Sequence, residues 1–143
     1  QETASCRTSV ALMPGIDTNV LVRFLVRDDD AQFEKARKLI KREVAAGRRV
    51  FVNQLVLMET EWVLRSRYAV PKNQIIEAVS GLLNATDVQF EDEPAIEEAI
   101  FIWKDSVADF ADCLIGAKNR RMGCRATATF DAKASRLPGF MAA

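Results

Sequence analysis

Histidine is absent from this sequence of 143 residues, and that absence excludes several common kinds of active site. Without histidine, Ser-His-Asp and Cys-His catalysis lack their general base, and catalytic zinc lacks its commonest ligand. An enzyme built from this chain must therefore rely on carboxylates, hydroxyls and amines. Carboxylates are the side chains that suit Mg²⁺ or Mn²⁺.

Long apolar runs and an excess of charge of one sign are missing as well. No apolar run approaches the roughly 18–20 residues that cross a bilayer, so we expect no membrane span. The 20 basic and 20 acidic residues cancel, so nucleic-acid binding would have to rest on local clusters of charge. Cys6, Cys113 and Cys124 are odd in number and lack C-x-x-C spacing, which predicts reduced thiols in a cytoplasmic protein.

The order of short strands and helices predicts the fold class. Residues 1–12 have no clear periodicity, and we expect them to be a leader that is foreign to the domain or disordered, with Met13 as the natural start. Residues 13–143 are expected to form one domain. Strands are predicted at 15–17, 49–52, 88–90 and 125–129, and helices at 19–26, 30–46, 54–67, 71–84, 92–105 and 109–122. Strands joined by helical crossovers predict an α/β fold with a mostly parallel sheet between helices.

Two aspartates lie at or just after the carboxyl ends of predicted strands. Asp17 comes after Gly15-Ile16, and Asp131 comes after the strand that ends at Thr129. Ligands of an open parallel sheet bind outside the carboxyl ends of its strands, which makes both aspartates candidate site residues. The alternative interpretation is that each one simply caps the helix that follows.

Glu59 and Glu61 lie on the same predicted helix in different surroundings. The neighbours of Glu59 at i−4, i+3 and i+4 are Leu55, Trp62 and Val63, so we expect its carboxylate on an apolar stripe, where an unpaired charge is costly. Glu61 has Arg65 at i+4 and is expected to form an ordinary surface ion pair. The sequence therefore favours Glu59 as the functional residue.

Asp109 and Asp112 lie one helical turn apart and share a face. Capping and the helix dipole would account for one of them, and account less well for both together with the other acids. If several of these carboxylates converge, each pair about 5 Å apart repels by roughly 3 kcal/mol at an effective dielectric of 20. Such a cluster raises its own pKa values or recruits a divalent cation, which would also bind phosphate oxygens.

Four short motifs, in order, resemble those of PIN-domain nucleases, and most closely the VapC-like toxins of bacterial toxin–antitoxin pairs. The motifs are Ile16-Asp17-Thr18-Asn19-Val20-Leu21, Glu59-Thr60-Glu61-Trp62-Val63-Leu64-Arg65, Ala108-Asp109-Phe110-Ala111-Asp112-Cys113-Leu114-Ile115 and Ala128-Thr129-Phe130-Asp131. The resemblance covers Met13 to about Phe140.

This resemblance implies a three-layer α/β/α sandwich and Mg²⁺-dependent endoribonuclease activity. Carried over by position, the central metal-binding acids are Asp17, Glu59 and Asp112, and Asp131 matches a fourth acid that the family does not always keep. The supporting residues are Asn19, which would assist Asp17 or the metal, Thr129, which would line the site, and Asp109. The resemblance also implies an RNA substrate, a cognate antitoxin protein and a homodimer. The basic residues that would offset the neutral net charge are Arg65, Arg67, Lys118, Arg120 and Arg121.

Two alternatives remain open at this point. A PIN-like module that only binds protein or RNA would carry the same acids without turnover. A haloacid-dehalogenase-type phosphatase also opens with an aspartate after its first strand. Its motif has a second aspartate where this chain has Asn19, and it requires a cap domain for which this chain is too short.

Overall fold

The computed structural model of this chain describes residues 7, 8 and 11–143, which divide into two compact units, the first ending at Glu91 and the second running from Asp92 to Ala143. Near the start, β1 (Arg7–Thr8) pairs antiparallel with β2 (Ala11–Leu12). Residues 1–6, 9 and 10 lie outside the described residues, so the leader assigned to 1–12 stays a prediction. The single domain expected over 13–143 also stays a prediction.

The first unit alternates helices and strands as the sequence predicts. Its elements are α1 (Thr18–Leu25), α2 (Asp30–Ala45), β3 (Val50–Val52), α3 (Gln54–Ser66), α4 (Lys72–Asn84) and β4 (Val88–Phe90). Asp17, Asp29 and Asn53 begin three of the helices, and each side chain accepts the N–H three residues later. These caps satisfy backbone donors that have no partner inside the helix.

Three chain segments of the first unit run parallel and end at one edge. β3 pairs with β4 in the register Val50↔Val88 to Val52↔Phe90. On the other side of β3, Gly15 bridges to Phe51, and the Ile16 N–H donates to the Phe51 carbonyl at 3.0 Å. Because the segments are parallel, their carboxyl ends lie along one edge, and Asp17 directly follows one of them.

The core of the first unit forms where helices cover these strands. Val50, Val52, Val88 and Phe90 are all buried, and in both strands the middle residue is less buried than its two neighbours. α1 packs on α2 and α3, and α4 packs on β4. The buried helix residues include Leu21, Val22, Ile40, Leu57, Leu64, Ile75 and Val79.

The second unit pairs two helices with a small parallel sheet. It contains α5 (Glu93–Lys104), α6 (Phe110–Arg121), β5 (Thr127–Thr129), a 3-10 turn (Ala134–Arg136) and β6 (Phe140–Ala142). α5 packs on α6, where the rings of Trp103 and Phe110 lie 5.1 Å apart. β6 pairs parallel with β5 and was not predicted. A side chain on Gly116 would collide with the Phe140 ring, so glycine there allows β6 to approach α6.

The six predicted helices and the strands predicted at 49–52, 88–90 and 125–129 are confirmed, with ends that move by up to two residues. The strand predicted at 15–17 was wrong, because that segment forms only a single β-bridge at Gly15. The longest helix, α2, has 16 residues, and no helix in the described part of the chain has the length and apolar character needed to cross a bilayer. Cys113 and Cys124 are free thiols, one buried and one exposed, whereas Cys6 lies outside the described residues.

Candidate active site

Asp17 is the N-cap of α1, as the capping interpretation required. Its Oδ1 atom accepts the Val20 N–H at 3.0 Å. This hydrogen bond uses one oxygen of the Asp17 carboxylate. It fixes the orientation of that carboxylate at the edge of the sheet where the parallel segments end. The second oxygen therefore stays available to a ligand, and capping and ligand binding are compatible at this residue.

Glu59 is not buried on an apolar stripe, so that prediction was wrong. The side chain is exposed, and its neighbours Leu55 and Trp62 are 77% and 51% exposed. The buried face of α3 consists instead of Leu57, Thr60, Glu61 and Leu64. Glu59 nevertheless contacts α1, because the Thr18 hydroxyl donates to its Oε1 atom at 2.6 Å.

Glu61 is buried, which contradicts the expected surface position. Its exposed fraction is 3%, and its Oε2 atom lies 2.7 Å from Arg65 Nε. The predicted ion pair with Arg65 was therefore correct, and the predicted exposure of Glu61 was wrong. A buried carboxylate that is held by a guanidinium has a structural explanation, so Glu61 needs no functional one.

Asp17 and Glu59 line one open cavity of about 260 Å³ in the first unit. Thr18, Asn19, Trp62, Arg67 and Tyr68 are also among its lining residues. Arg23 also lines this cavity, but its guanidinium already binds Tyr68, Asp28 and Gln32. Arg67 has no acidic partner among the residues that the structure describes. The cavity therefore combines two carboxylates, an available guanidinium and a half-exposed indole.

Asp112 is the centre of an acidic group in the second unit. Burial raises the pKa of its carboxyl, and the negative charges of Asp109 and Asp131 raise it further. The Asp109 N–H donates to the carboxylate and lowers the pKa, but it is the smallest of these effects. Asp112 is thus a carboxylate whose surroundings favour a proton or a cation.

The two neighbours of Asp112 differ in how the fold uses them. Asp109 stands at the N-cap position of α6, yet its side chain makes no capping hydrogen bond. Asp131 accepts the N–H groups of Ala134 at 3.0 Å and Lys133 at 2.7 Å, which lower its pKa. Thr129 accepts the Asp131 N–H through its hydroxyl at 3.0 Å. Capping therefore explains Asp131 and does not explain the side chain of Asp109.

The acids predicted from the sequence are divided between the two units, with Asp17 and Glu59 in the first and Asp112 and Asp131 in the second. Within residues 7–8 and 11–143, no three Asp, Glu or Cys side chains are grouped so that they would hold a metal ion. The chemistry of the donors still fits a hard divalent cation. All of them are oxygen atoms, and a cation would relieve the repulsion around Asp112.

Four of the five basic residues proposed for RNA binding already have acidic partners. Lys118 and Arg121 both contact Asp92, at 3.3 and 2.6 Å, and Arg120 binds Glu98. Since Arg65 binds the buried Glu61, its charge is engaged as well. The basic residues that follow Asp112 on α6 therefore have a structural role within the second unit, and Arg67 is the better candidate for a phosphate contact.

Comparison with known proteins identifies the family. Residues 16–139 match the PIN domain, so the chain belongs to the PIN-domain family, and the predicted α/β fold class is confirmed. The chain is also similar to a VapC ribonuclease of Aquifex aeolicus. The two are 28% identical over 122 residues, which cover 85% of this chain and 90% of the relative. The predicted resemblance to VapC-like PIN-domain proteins is likewise confirmed.

Proposed function

We propose that this protein is a magnesium-dependent endoribonuclease and the toxin of a toxin–antitoxin pair. The observation that carries the proposal is the acidic group of the second unit, within a chain of the PIN-domain family. The ionised Asp112 carboxylate is partly buried and lies near two other negative charges, so it is unfavourable in the metal-free protein and becomes favourable once a cation binds. The similarity to a VapC ribonuclease supports RNA as the substrate.

In this proposal Asp17, Glu59 and Asp112 hold Mg²⁺, and Mn²⁺ would serve as well. A cation held by these residues would supply Lewis-acid chemistry, which would lower the pKa of a bound water and offset charge on the scissile phosphate. The Thr18 hydroxyl holds the Glu59 carboxylate in place, and the Val20 N–H does the same for Asp17.

The remaining polar residues support these three. Asn19 lines the cavity beside Asp17, and its amide would orient a bound water or a phosphate oxygen. Asp109 and Asp131 act on the carboxyl of Asp112 through their charges, and the Thr129 hydroxyl accepts the Asp131 N–H. Asp131 acts mainly through its charge, because backbone N–H groups already bind its Oδ1 atom. No covalent enzyme intermediate is required, which agrees with the absence of histidine.

The direct test is cleavage of single-stranded RNA by the purified protein in Mg²⁺, in Mn²⁺ and in EDTA. We expect cleavage with either metal and none with EDTA. Asp112→Asn should lower the rate by orders of magnitude, because it removes a ligand charge while keeping size. Asp30→Asn is the matched control, since Asp30 is likewise in the first turn of a helix and lies outside the candidate site.

A non-catalytic binding module is the second candidate. It is favoured by the absence, within the described residues, of three carboxylates grouped to hold a metal. The same assay separates the two functions: RNA binding with no cleavage in either metal would support the module and overturn the nuclease.

The toxin role predicts a partner and a phenotype. A small antitoxin with an arginine or lysine side chain would pair with the acids in place of metal. Expression of this chain alone should arrest bacterial growth, and coexpression of the antitoxin should restore it. We also propose a cytoplasmic location and a homodimer. Light scattering of the purified protein tests the homodimer, and Phe101, which is 75% exposed, is a candidate contact.

A further inference from the structure

The exposed face of α3 carries a tryptophan, Trp62, besides Glu59. Trp62 lies one helical turn further along, and half of its surface is open to solvent. An indole in this position keeps part of its flat apolar face and its ring N–H open to a ligand. The other tryptophan of the chain, Trp103, is buried.

The indole of Trp62 is available for stacking. Among the residues that the structure describes, no aromatic ring or cation stacks on it, and its ring N–H has no acceptor. The ring lines the same cavity as the Asp17 and Glu59 carboxylates and the Arg67 guanidinium. The cavity therefore offers, side by side, groups for a phosphate and a flat apolar surface.

We propose that Trp62 stacks on an unpaired base of the RNA next to the scissile phosphate and so determines where along a strand the enzyme cuts. This inference rests on the proposed nuclease function. Side chains three residues apart on a helix are about 5–6 Å from each other at Cβ, so one nucleotide spans the distance from Glu59 to Trp62. Indole stacking requires a base that is not paired, which predicts a single-stranded substrate.

The cavity favours RNA over a protein partner as the occupant of this surface. A protein partner whose cation paired with the carboxylates would leave the Arg67 guanidinium without an anion, whereas an RNA strand supplies a base for the indole and a phosphate for the guanidinium. Arg67, which has no acidic partner in the described residues, lies at the end of α3 and can bind a phosphate of the same strand. The combination of an aromatic platform and a cation is typical of single-stranded nucleic-acid sites.

The test combines protein variants with abasic RNA. Trp62→Leu keeps an apolar side chain without the aromatic face, and Trp62→Phe keeps a smaller aromatic one. Leu55→Ala is the matched control, because Leu55 is exposed on the same face of α3 and does not line the cavity. Affinity for a single-stranded oligonucleotide is measured in Ca²⁺, which takes the same oxygen ligands, with a gel to verify that the RNA stays intact. Cleavage in Mg²⁺ is measured separately.

We expect Trp62→Leu to weaken binding by about 5- to 150-fold, the range for loss of one stacked base, and to raise KM more than it lowers kcat. Trp62→Phe should restore most of the affinity, and Leu55→Ala should not differ from wild type. An abasic nucleotide at one position should weaken wild-type binding to a similar extent and should have no further effect in Trp62→Leu. A merely structural tryptophan would not produce this non-additivity.

The outcomes separate the two proposals. Binding that follows this pattern without any cleavage would overturn the nuclease function and keep the stacking site. If Trp62→Leu cleaves RNA, binds it with unchanged affinity and shows additive effects with the abasic nucleotide, the stacking site alone is overturned. The same holds if Trp62→Leu loses antitoxin inhibition or self-association while it still binds RNA normally. Failure of the wild-type protein to bind RNA would overturn both.

Discussion

Glu59 and Glu61 provide the sharpest test, because they are two positions apart on α3 and the structure gives them opposite surroundings. Glu59 is exposed in the cavity with Asp17, and Glu61 is 3% exposed and bound to Arg65. Replacement of each by glutamine removes the charge while size and helix propensity are nearly kept. Each variant thus serves as the matched control of the other.

The expected cost at Glu61 follows from its contacts. A hydrogen bond to a charged group contributes about 1.5–3 kcal/mol, and the glutamine oxygen would still accept one N–H from Arg65. Arg65 is 45% exposed and stays solvated, which keeps the loss small, whereas the buried amide adds an unsatisfied donor. We expect a net destabilisation of about 1–3 kcal/mol. At 143 residues, the entropy of unfolding is about 0.3 kcal/mol per kelvin, so Tm should fall by about 3–10 °C.

The expected effects at Glu59 are the reverse. The glutamine oxygen can accept the Thr18 hydroxyl, and the site is exposed, so stability should change by less than about 0.5 kcal/mol. RNA cleavage in Mg²⁺ should fall by orders of magnitude, because the proposed metal ligand loses its charge. Glu61→Gln should keep cleavage near the wild-type rate below its own Tm.

Thermal unfolding in EDTA and RNA cleavage in Mg²⁺ are measured on the same protein preparations. The reasoning is refuted if Glu61→Gln is inactive at full stability while Glu59→Gln cleaves RNA. That result would make Glu61 the second acid of the site and would mean that α3 is rotated relative to the structure. Loss of stability in Glu59→Gln comparable to that in Glu61→Gln would contradict the exposure of Glu59.

The other predictions concern the aspartates. Asp17→Asn should keep the α1 cap, since asparagine caps about as well, and melt within a few degrees of wild type while cleavage is lost; retained cleavage would remove Asp17 from the site. For Asp112 the folded pKa is raised, so its ionised form disfavours the folded state. Asp112→Asn should therefore be at least as stable as wild type in EDTA at neutral pH, with a Tm advantage that disappears as the pH falls below the ordinary aspartate pKa of about 3.9. For Asp131 the folded pKa is lowered, so ionisation of the carboxyl stabilises the fold above that pH and this contribution is lost on acidification; Asp131→Ala should lower Tm more at neutral pH than at the acidic limit.

The sequence by itself determined the elements and the family. Hydrophobic periodicity and capping residues such as Asp17 and Asn53 define where helices begin, because they act within a few residues of each other. Motif order was sufficient to predict the PIN-domain family, which the match over residues 16–139 confirms. The candidate acids were also identified from their motifs, although the sequence did not predict which of them the fold leaves exposed.

The tertiary structure decided which face of α3 is buried. Apolar residues occur on both faces, with Leu55 and Trp62 on one and Leu57 and Leu64 on the other, so periodicity within the helix gave no unique answer. Contacts of α3 with α1 and α4 select the second face and bury Glu61 with it. The pairing of β6 with β5 depends in the same way on residues distant in sequence. A helix or strand can be predicted from local interactions, but the surface that it buries depends on what packs against it.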